Sequence, residues 1–366
     1  MGPTVPSIGG ITTAVNALMA SSMSKEFNLR LMANSNHRPM NKKGVVDVHN
    51  ISSFFAIFGR LVWTIYSFRP RVVQVETAGG IGFLKQSVYI IAAKLMWRKV
   101  IVSLHCANAG EPLIEFDRSG LVAKWYCGFI LRMCNAVKLL SPQWREDFTA
   151  RWGLDSDNVV GVQNCLDTMF PWGSALSCST RKNEFTIVSV GSVGERKGSF
   201  LLIEAVKLLR EDNVPVSLIL IGTEEREGSM AALLDAARKF GVQDVVHFMG
   251  GQSREKIFEE LVRADVFALP SYAEGMPYSI IEALAIGCPV IASDVGAIKD
   301  IITDKDTGLI INAGSVDELA GALSLLAKDI SMREKLALQG NKFACDMFGI
   351  HNLEGAFRAV YERLIT

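Results

Sequence analysis

Several features that would assign a chain to a class at once are absent from these 366 residues. No apolar run is long enough to span a membrane, and the longest candidate, residues 54–68, is short and contains Arg60. The first residues lack a basic segment followed by an apolar core, so no secretory signal is predicted. No dense run of Lys and Arg with interleaved aromatic residues occurs, which argues against a nucleic-acid partner.

Cysteine chemistry and cofactor motifs are also sparse. The seven cysteines are scattered and odd in number, without a Cys-x-x-Cys pair. This pattern predicts reduced thiols in the cytoplasm and argues against a zinc site or a disulfide framework. No Gly-x-Gly-x-x-Gly follows a strand, which disfavours a dehydrogenase, and no metal-binding motif stands out. We therefore expect neither a metal nor a cofactor.

The charges balance overall but are unevenly placed along the chain. Residues 1–170 contain 18 Lys and Arg against 11 Asp and Glu, and the remainder carries the opposite excess. A basic first half is suited to anionic lipid or to an anionic acceptor, so peripheral membrane contact is one hypothesis. Chance, or charge complementarity between two domains, is the simpler interpretation.

Strand-like and helix-like segments alternate along most of the chain, and the length favours two domains. This alternation predicts an α/β protein with parallel sheets covered by helices on both faces. The first half opens with a loop at Gly9 and Gly10 followed by a helix, which suits a diphosphate or is a surface turn. The strand that should precede this loop is missing, while residues 29–32 and 45–48 are predicted as strands.

A histidine follows one of the predicted strands of the first half. His105 ends the apolar run that begins at Val100. Open α/β sheets bind ligands at the carboxyl ends of their strands, where an imidazole can donate to a sugar hydroxyl or a phosphate. A capping or core histidine is an equally good interpretation of the residue alone.

Two carboxylates eight residues apart dominate residues 271–293. A continuous helix would separate Glu274 and Glu282 by roughly 80° around its axis. Pro277 suits the first position of a helix, and Met276 before it is biased away from the helical region. Glu274 is thus expected in the loop after a buried strand, and Glu282 in the second turn of the helix.

The start of this helix is a candidate anion site. Backbone N–H groups near Tyr278 and Ser279 are expected to be free at the helix N-terminus, where they favour an anion. Carboxylates accept hydrogen bonds from hydroxyls, so an anion flanked by Glu274 and Glu282 suggests a phosphate ester that carries hydroxyls. A plain strand–loop–helix unit with two solvated glutamates is the alternative.

A second candidate phosphate contact opens the second half. The strand predicted at residues 185–190 is followed by Gly191 and Ser192, and then by Arg196, Lys197 and a glycine before a helix. A lysine at such a turn is a good point charge for phosphate. For an isolated Lys–Gly pair a solvated turn is the simpler explanation.

These motifs together resemble one known family. Glu274, Gly275, Pro277 and Glu282 occur in the order of the E-x7-E signature of the retaining glycosyltransferases of family four. The turn from Gly191 to Gly198 resembles the family's G-R-L-x-x-x-K-G, with Ser192 in the place of its Arg. Residues 164–172 resemble the family's interdomain element N-G-V-D-x-x-x-F, with a cysteine in the place of its glycine.

The resemblance implies the GT-B fold, in which two Rossmann-like domains face each other across a cleft. It places an acceptor domain at residues 1–170, a linker at 171–184 and a nucleotide-sugar donor domain at 185–344. The last helix, in residues 345–366, would cross back onto the first domain.

The resemblance also implies metal-independent, retaining transfer of a sugar from a UDP- or GDP-sugar to a glycan or lipid-linked acceptor. Cell-surface polysaccharide assembly at the inner face of the membrane is the expected setting. His105, Lys197 and Glu274 form the implied catalytic set. The implied donor-binding set is Gly9, Gly10, Ser192, Arg196, Lys197, Gly222, Gly251, Glu274, Gly275, Met276, Pro277, Tyr278, Ser279 and Glu282.

Two other functions stay open from the sequence. A nucleotide-sugar 2-epimerase shares the GT-B architecture but would need acid–base carboxylates in both domains. A non-catalytic nucleotide-sugar-binding partner is favoured by Ser192 and by the missing first strand.

Overall fold

The structure is a computed structural model that describes residues 1–2, 9–34, 48–105, 120–167, 170 and 184–366. The chain divides into two compact units. The first unit comprises Met1–Asp167 together with Ile350–Thr366, and the second comprises Thr168–Gly349. Each unit has its own parallel sheet and its own apolar core.

The first unit is built on a four-stranded parallel sheet in the order β1-β2-β3-β4. The strands are β1 Val72–Thr77, β2 Lys99–Leu104, β3 Ala136–Leu139 and β4 Val159–Gly161. Both faces of this sheet are covered, which explains why β2 and β3 are apolar almost throughout.

Helices of the first unit lie on both faces of this sheet. They are α1 Gly10–Ala20, α2 Met23–Glu26, α3 Val48–Phe68, α4 Ile81–Leu95, α5 Leu121–Met133 and α6 Arg145–Trp152. Helices α3, α4, α5 and α6 share one core with the sheet, through residues such as Leu61, Tyr89 and Ile130. Helices α1 and α2 pack with Ile101 and Ala136 in a separate cluster.

The segment at residues 29–32 is not the strand that the sequence predicted. In the described residues it carries no strand, and an isolated bridge joins Ala33, directly after it, to Gly2. Among the described residues this pairing consists of two hydrogen bonds, from Gly2 N–H to Met32 O at 3.2 Å and from Asn34 N–H to Gly2 O at 3.2 Å, which is too short for a strand ladder. A recess of about 510 Å³ lies beside it, lined by parts of β1 and α3 among others. The other expected strand, residues 45–48, lies outside the described residues except for Val48, which begins α3.

Helix α4 ends in an unusual way. Trp97 adopts a left-handed backbone conformation with φ 58°, two residues beyond Leu95, and its side chain is 94% exposed. Its N–H donates to Lys94 O at 2.9 Å, and Arg98 N–H donates to Ala93 O at 3.0 Å. Both bonds close the helix end, at a position where glycine is the usual residue.

The second unit is built on a six-stranded parallel sheet in the order β10-β9-β8-β5-β6-β7. Its strands are β5 Phe185–Val190, β6 Val216–Ile221, β7 Val246–Gly250, β8 Val266–Leu269, β9 Val290–Ser293 and β10 Leu309–Ile311. Its helices are α7 Ser199–Glu211, α8 Ser229–Lys239, α9 Arg254–Arg263, α10 Tyr278–Ile286, α11 Val316–Lys328 and α12 Ile330–Met347.

The strand order of this sheet reverses between β5 and β8. Strands β6 and β7 follow β5 on one side, whereas β8, β9 and β10 extend on the other. Ile187 lies opposite Val266, and Val188 opposite Phe267, in parallel register. Loops at such a reversal diverge and leave a crevice beyond the carboxyl ends of the strands.

The last helix, α13 Ile350–Ile365, belongs to the first unit. Phe357 and Tyr361 pack in the core cluster of α1 and α2, and the Tyr361 hydroxyl donates to Gln74 Oε1 of β1 at 2.7 Å. Arg358 pairs with Glu26 of α2 at 2.7 Å. The terminal helix thus completes the second helical layer of the first sheet, as expected for the fold.

No helix within the described ranges is long and apolar enough to cross a membrane. The five cysteines in those ranges are free thiols.

Candidate functional site

The loops after β5 and β8 lie side by side at the strand-order reversal of the second sheet. Gly198 has a positive φ of 73°, and a Cβ there would lie 2.0 Å from Pro270 O, so only glycine allows this approach. Tyr272 N–H donates to Arg196 O at 2.9 Å and ties the two loops together. The candidate residues of both loops are thereby held at one edge of the sheet.

Lys197 and Glu274 form the centre of this arrangement. The Lys197 Nζ atom lies 2.5 Å from Glu274 Oε1, and Ser271 Oγ donates to the same oxygen at 2.7 Å. The side chains of Lys197 and Glu274 are only 15% and 7% exposed. A charged pair with so little water around it interacts more strongly than a surface pair.

Arg196 extends beside this pair and contacts three loops. Its Nη2 donates to Ser192 Oγ at 3.1 Å, and its Nη1 donates to Ala273 O at 3.3 Å. Its Nε lies 3.2 Å from Glu225 Oε1, in the loop after β6. The guanidinium therefore lies next to position 192, where the family motif has its own arginine.

Glycines bring the ends of β5, β6 and β7 together. Gly222 has φ 149°, and a Cβ there would lie 1.7 Å from Gly191 O, which leaves no room for any other residue. Gly222 N–H donates to Gly250 O at 2.8 Å, and Gly251 follows directly. Backbone groups rather than side chains thus form this part of the edge.

The helix after the β8 loop starts one residue later than the sequence predicted. Pro277 is the N-cap residue of α10, with ψ 123°, and Tyr278 is the first helical residue. Pro277, Met276 and Tyr278 are buried, and Ser279 is half-buried. Gly275 O accepts a hydrogen bond from Ala297 N–H at 2.9 Å, which fixes the loop between Glu274 and the helix.

Glu282 lies in the second turn of α10, as predicted, and is largely buried. Its Oε1 is 3.7 Å from Nε of Arg254, the first residue of α9. The Arg254 guanidinium also lies over the rings of Phe170 and Phe258. Glu282 is therefore oriented by a cation from the start of α9.

The predicted residues of the first unit form a separate group. His105 Nε2 lies 2.7 Å from Glu76 Oε2, with both side chains buried at the ends of β2 and β1. Burial lowers the pKa of His105, and the hydrogen bond to Glu76 opposes this shift. His105 is thus neutral near pH 7, with its Nε2 proton donated to Glu76. Gly9 is the N-cap residue of α1, and Gly10 is its first helical residue.

Burial alone would raise the pKa of Glu76, but three neighbours reverse the shift. The hydrogen bond from His105, the positive charge of its ring when protonated, the nearby charge of Lys138 and a 2.5 Å hydrogen bond from Gln74 together lower the pKa to about 2. Lys138 is itself buried in β3, which lowers its pKa. The first unit therefore contains an ionised buried carboxylate linked to a neutral histidine.

In the second unit the arrangement can hold an anion and hydroxyls. Lys197, Arg196 and the N-terminus of α10 supply positive charge and donors, while Glu274 and Glu282 supply acceptors. Residues 178–343 match the family model described as glycosyl transferases group 1. The second unit resembles group 1 glycosyl transferases.

Curated relatives with known names carry the same resemblance. The chain is 28% identical over 176 residues to the D-inositol 3-phosphate glycosyltransferase of Rhodococcus erythropolis, covering 47% of this chain and 40% of that protein. It is 31% identical over 171 residues to the MMP alpha-(1->4)-mannosyltransferase of Mycolicibacterium hassiacum, covering 46% and 41%. The chain thus spans about two fifths of the length of these curated relatives.

A solved structure extends the likeness to both units. Anabaena HepE in complex with UDP-glucose superposes with a TM-score of 0.69 at 18% identity, covering 84% of this chain and 82% of that one. At this identity the likeness shows the fold, which is GT-B with two Rossmann-like domains. The group 1 match and the curated relatives concern about half of this chain or less, whereas the shared fold extends over both units.

The sequence did not predict the partners that orient Arg196 and Glu282. Glu225 comes from the loop after β6 and Arg254 from the start of α9, and no short motif links them to Arg196 or Glu282. Their position directly after predicted strands was the one available signal, since such loops meet at the carboxyl edge of a sheet. In the first unit, Glu76 and Lys138 lie within strands whose other residues are mostly apolar, so the sequence pattern there is that of a core strand.

Proposed function

We propose that this protein is a retaining, metal-independent hexosyltransferase of family four. It transfers a sugar from a UDP- or GDP-sugar to a glycan or lipid-linked acceptor. The observation that carries the proposal is the buried Lys197–Glu274 pair at the strand-order reversal, within the residues that match group 1. The cation is suited to the diphosphate of a nucleotide sugar, and the carboxylate beside it is suited to the hydroxyls of the sugar.

The leaving group of such a transfer is a nucleoside diphosphate, so stabilising its developing charge lowers the barrier. Lys197 supplies a compact cation that is largely shielded from water. Arg196 adds a second cation beside Ser192, and the first turn of α10 adds backbone donors. These groups would take the part that a divalent cation plays in metal-dependent transferases.

The two glutamates would recognise hydroxyls. A diphosphate that draws Lys197 away from Glu274 Oε1 would free this oxygen to accept from the donor sugar. Glu282, held by Arg254, is proposed to accept from the ribose hydroxyls. The ends of β6 and β7, where Gly222 and Gly251 present backbone groups, are the proposed wall of the base pocket.

A uracil base is favoured among the candidates by one comparison. HepE, which shares the fold, is described in complex with UDP-glucose. The proposal has three further parts. They are a role in surface-polysaccharide assembly, an acceptor site in the first unit, and donor contacts from Gly9, Gly10 and His105. The support for these parts of the proposal is the family resemblance of the sequence motifs.

The deciding experiment separates donor binding from transfer. Thermal shift with UDP, GDP and their hexose conjugates identifies the donor, because a ligand that binds only the folded state raises its melting point. Glu282→Gln is expected to weaken binding of that donor roughly tenfold, since a ribose hydroxyl loses a charged acceptor. Glu259→Gln, an exposed residue of α9, is the matched control and should bind as the wild type does.

Turnover then tests the reaction itself. Release of nucleoside diphosphate in the presence of EDTA and of candidate glycan or lipid-linked acceptors is expected, with the anomeric configuration of the donor kept in the product by NMR. Conversion of the nucleotide sugar without an acceptor would instead indicate an epimerase. Binding of a donor without turnover on any acceptor would indicate a non-catalytic partner.

A further inference from the structure

Helix α3 is apolar on both of its sides. Its inner side contributes Ile57, Leu61 and Ile65 to the core of the first unit. Its outer side carries Phe55, Trp63 and Tyr66, which are 64%, 67% and 65% exposed. A surface helix of a globular protein normally has polar residues on its outer side, so packing within the unit does not explain these rings.

The neighbouring helices also expose large apolar and aromatic side chains. Helix α4 packs between α3 and α5 in one layer on the same face of the sheet. Leu95 and Trp97 are exposed at the end of α4, and Trp125 and Phe129 stack on each other on the surface of α5. We call Phe55, Trp63, Tyr66, Leu95, Trp97, Trp125 and Phe129 the outer helical face.

Exposed large apolar side chains are concentrated in one part of the described chain. Ten of the sixteen large apolar side chains that are exposed in the described ranges lie in α3, α4, α5 and the turn after α4. The other six are scattered over the second unit. Scattered exposed apolar residues are ordinary, whereas a contiguous group marks an interaction surface.

The charge of this layer is of one sign. Helices α3, α4 and α5 contain no Asp or Glu. Their basic residues are Arg60, Lys85, Lys94, Lys124 and Arg132. Among residues 48–105 and 120–144, the one acidic residue is the buried Glu76. Three further acidic residues, Glu111, Glu115 and Asp117, lie in the stretch outside the described residues.

A basic recess adjoins the aromatic residues at one border. It measures about 270 Å³ between α5 and α6, and Trp125 lines it. The cations that line it are Lys124, Arg132 and Arg151, and none of its lining residues is acidic. Arginine and lysine around a small recess are suited to a phosphate group.

We propose that the outer helical face binds the surface of an anionic lipid bilayer. Tryptophan and tyrosine rings favour the level of the lipid headgroups, and Lys and Arg beside them attract anionic lipid phosphates. A second copy of the chain fits this face poorly, because a two-fold interface would place the same basic helices opposite each other. The proposal goes beyond donor chemistry and does not depend on it.

Vesicle sedimentation tests the proposal with the full chain. The protein should sediment with phosphatidylcholine vesicles that contain phosphatidylglycerol, and stay in the supernatant with phosphatidylcholine alone. Replacing Trp63, Trp97 and Trp125 together by Ser should weaken the partition at least about tenfold, since their rings no longer insert. A double charge reversal, Arg60→Glu with Lys124→Glu, should weaken the partition about 25-fold or more, at roughly fivefold for each lost cation.

Matched changes in the second unit provide the controls. Leu325, Leu338 and Met347, also exposed, are replaced together by Ser, and Lys239 and Lys328 together by Glu. Both control variants should sediment as the wild type does. Wild-type protein that stays in the supernatant with both vesicle types at low salt would overturn the proposal. So would sedimentation of the tryptophan variant at the wild-type level, or a dimer that this variant alone loses.

Discussion

Replacing Glu76 by Gln should destabilise the first unit in a way that depends on pH. In the folded chain the Glu76 carboxylate is 8% exposed and accepts hydrogen bonds from His105 at 2.7 Å and from Gln74 at 2.5 Å. These bonds and the charge of Lys138 overcome the cost of burial and lower the pKa of Glu76 to about 2. Gln keeps the shape of the side chain but removes the charge that these partners stabilise.

The size of the effect follows from this pKa. A carboxyl group whose pKa falls from 4.5 to about 2 on folding contributes about 3 kcal/mol to the free energy of unfolding at neutral pH. Because the folded pKa is the lower one, this contribution is fully present above pH 4.5. It is lost as the pH falls from 4.5 through about 2. Burial of His105, whose pKa is also lowered, adds to the loss of stability below pH 6.5.

Urea unfolding followed by tryptophan fluorescence measures this unit selectively, since five of the six tryptophans lie in it. Glu76→Gln should unfold with about 3 kcal/mol less stability than the wild type at pH 7, and the difference should shrink toward pH 3. Glu146→Gln, an exposed change on α6, should leave both curves alike. A wild-type-to-variant difference that stays constant from pH 7 to pH 3 would refute the linkage.

Two further predictions concern the second unit. Lys197→Met and Glu274→Gln should each cost about 3 kcal/mol of unfolding free energy, while the double variant costs less than their sum, which urea unfolding measures as a double-mutant cycle. Additive losses would mean that the 2.5 Å pair carries no coupling. Arg196→Ala should weaken UDP binding roughly tenfold by calorimetry, because a cation beside the diphosphate is lost. The exposed Arg210→Ala is its control, and equal effects would remove Arg196 from the site.

Local sequence patterns were sufficient to predict which candidate residues follow strands and where an amphipathic helix lies. Glu274 and Lys197 each follow a predicted strand, and the structure places Lys197 Nζ 2.5 Å from Glu274 Oε1 because β5 and β8 are neighbours in the sheet. Periodicity predicted an amphipathic terminal helix, and the family resemblance implied its place on the first unit, where its apolar stripe lies in a core cluster.

Contacts between segments that are far apart in the sequence could not be predicted in the same way. Arg254 reaches Glu282, and Glu225 reaches Arg196, from segments that are 28 and 29 residues away in sequence. Their pairing depends on side-chain reach across the sheet edge, which periodicity does not encode. The predicted strand at residues 29–32 is a related case, because a strand also depends on a ladder partner, and among the described residues this pairing is a single bridge between Gly2 and Ala33.

The end of α4 has a consequence for the design of stabilised variants. Trp97 holds a left-handed backbone that costs a bulky residue roughly 1 kcal/mol relative to glycine, and its ring buries almost nothing in return. Selection for thermal stability alone would therefore replace it with glycine. A stabilised variant obtained in that way would lose the most exposed ring of the outer helical face, so improved folding and retained surface chemistry would have to be screened for together.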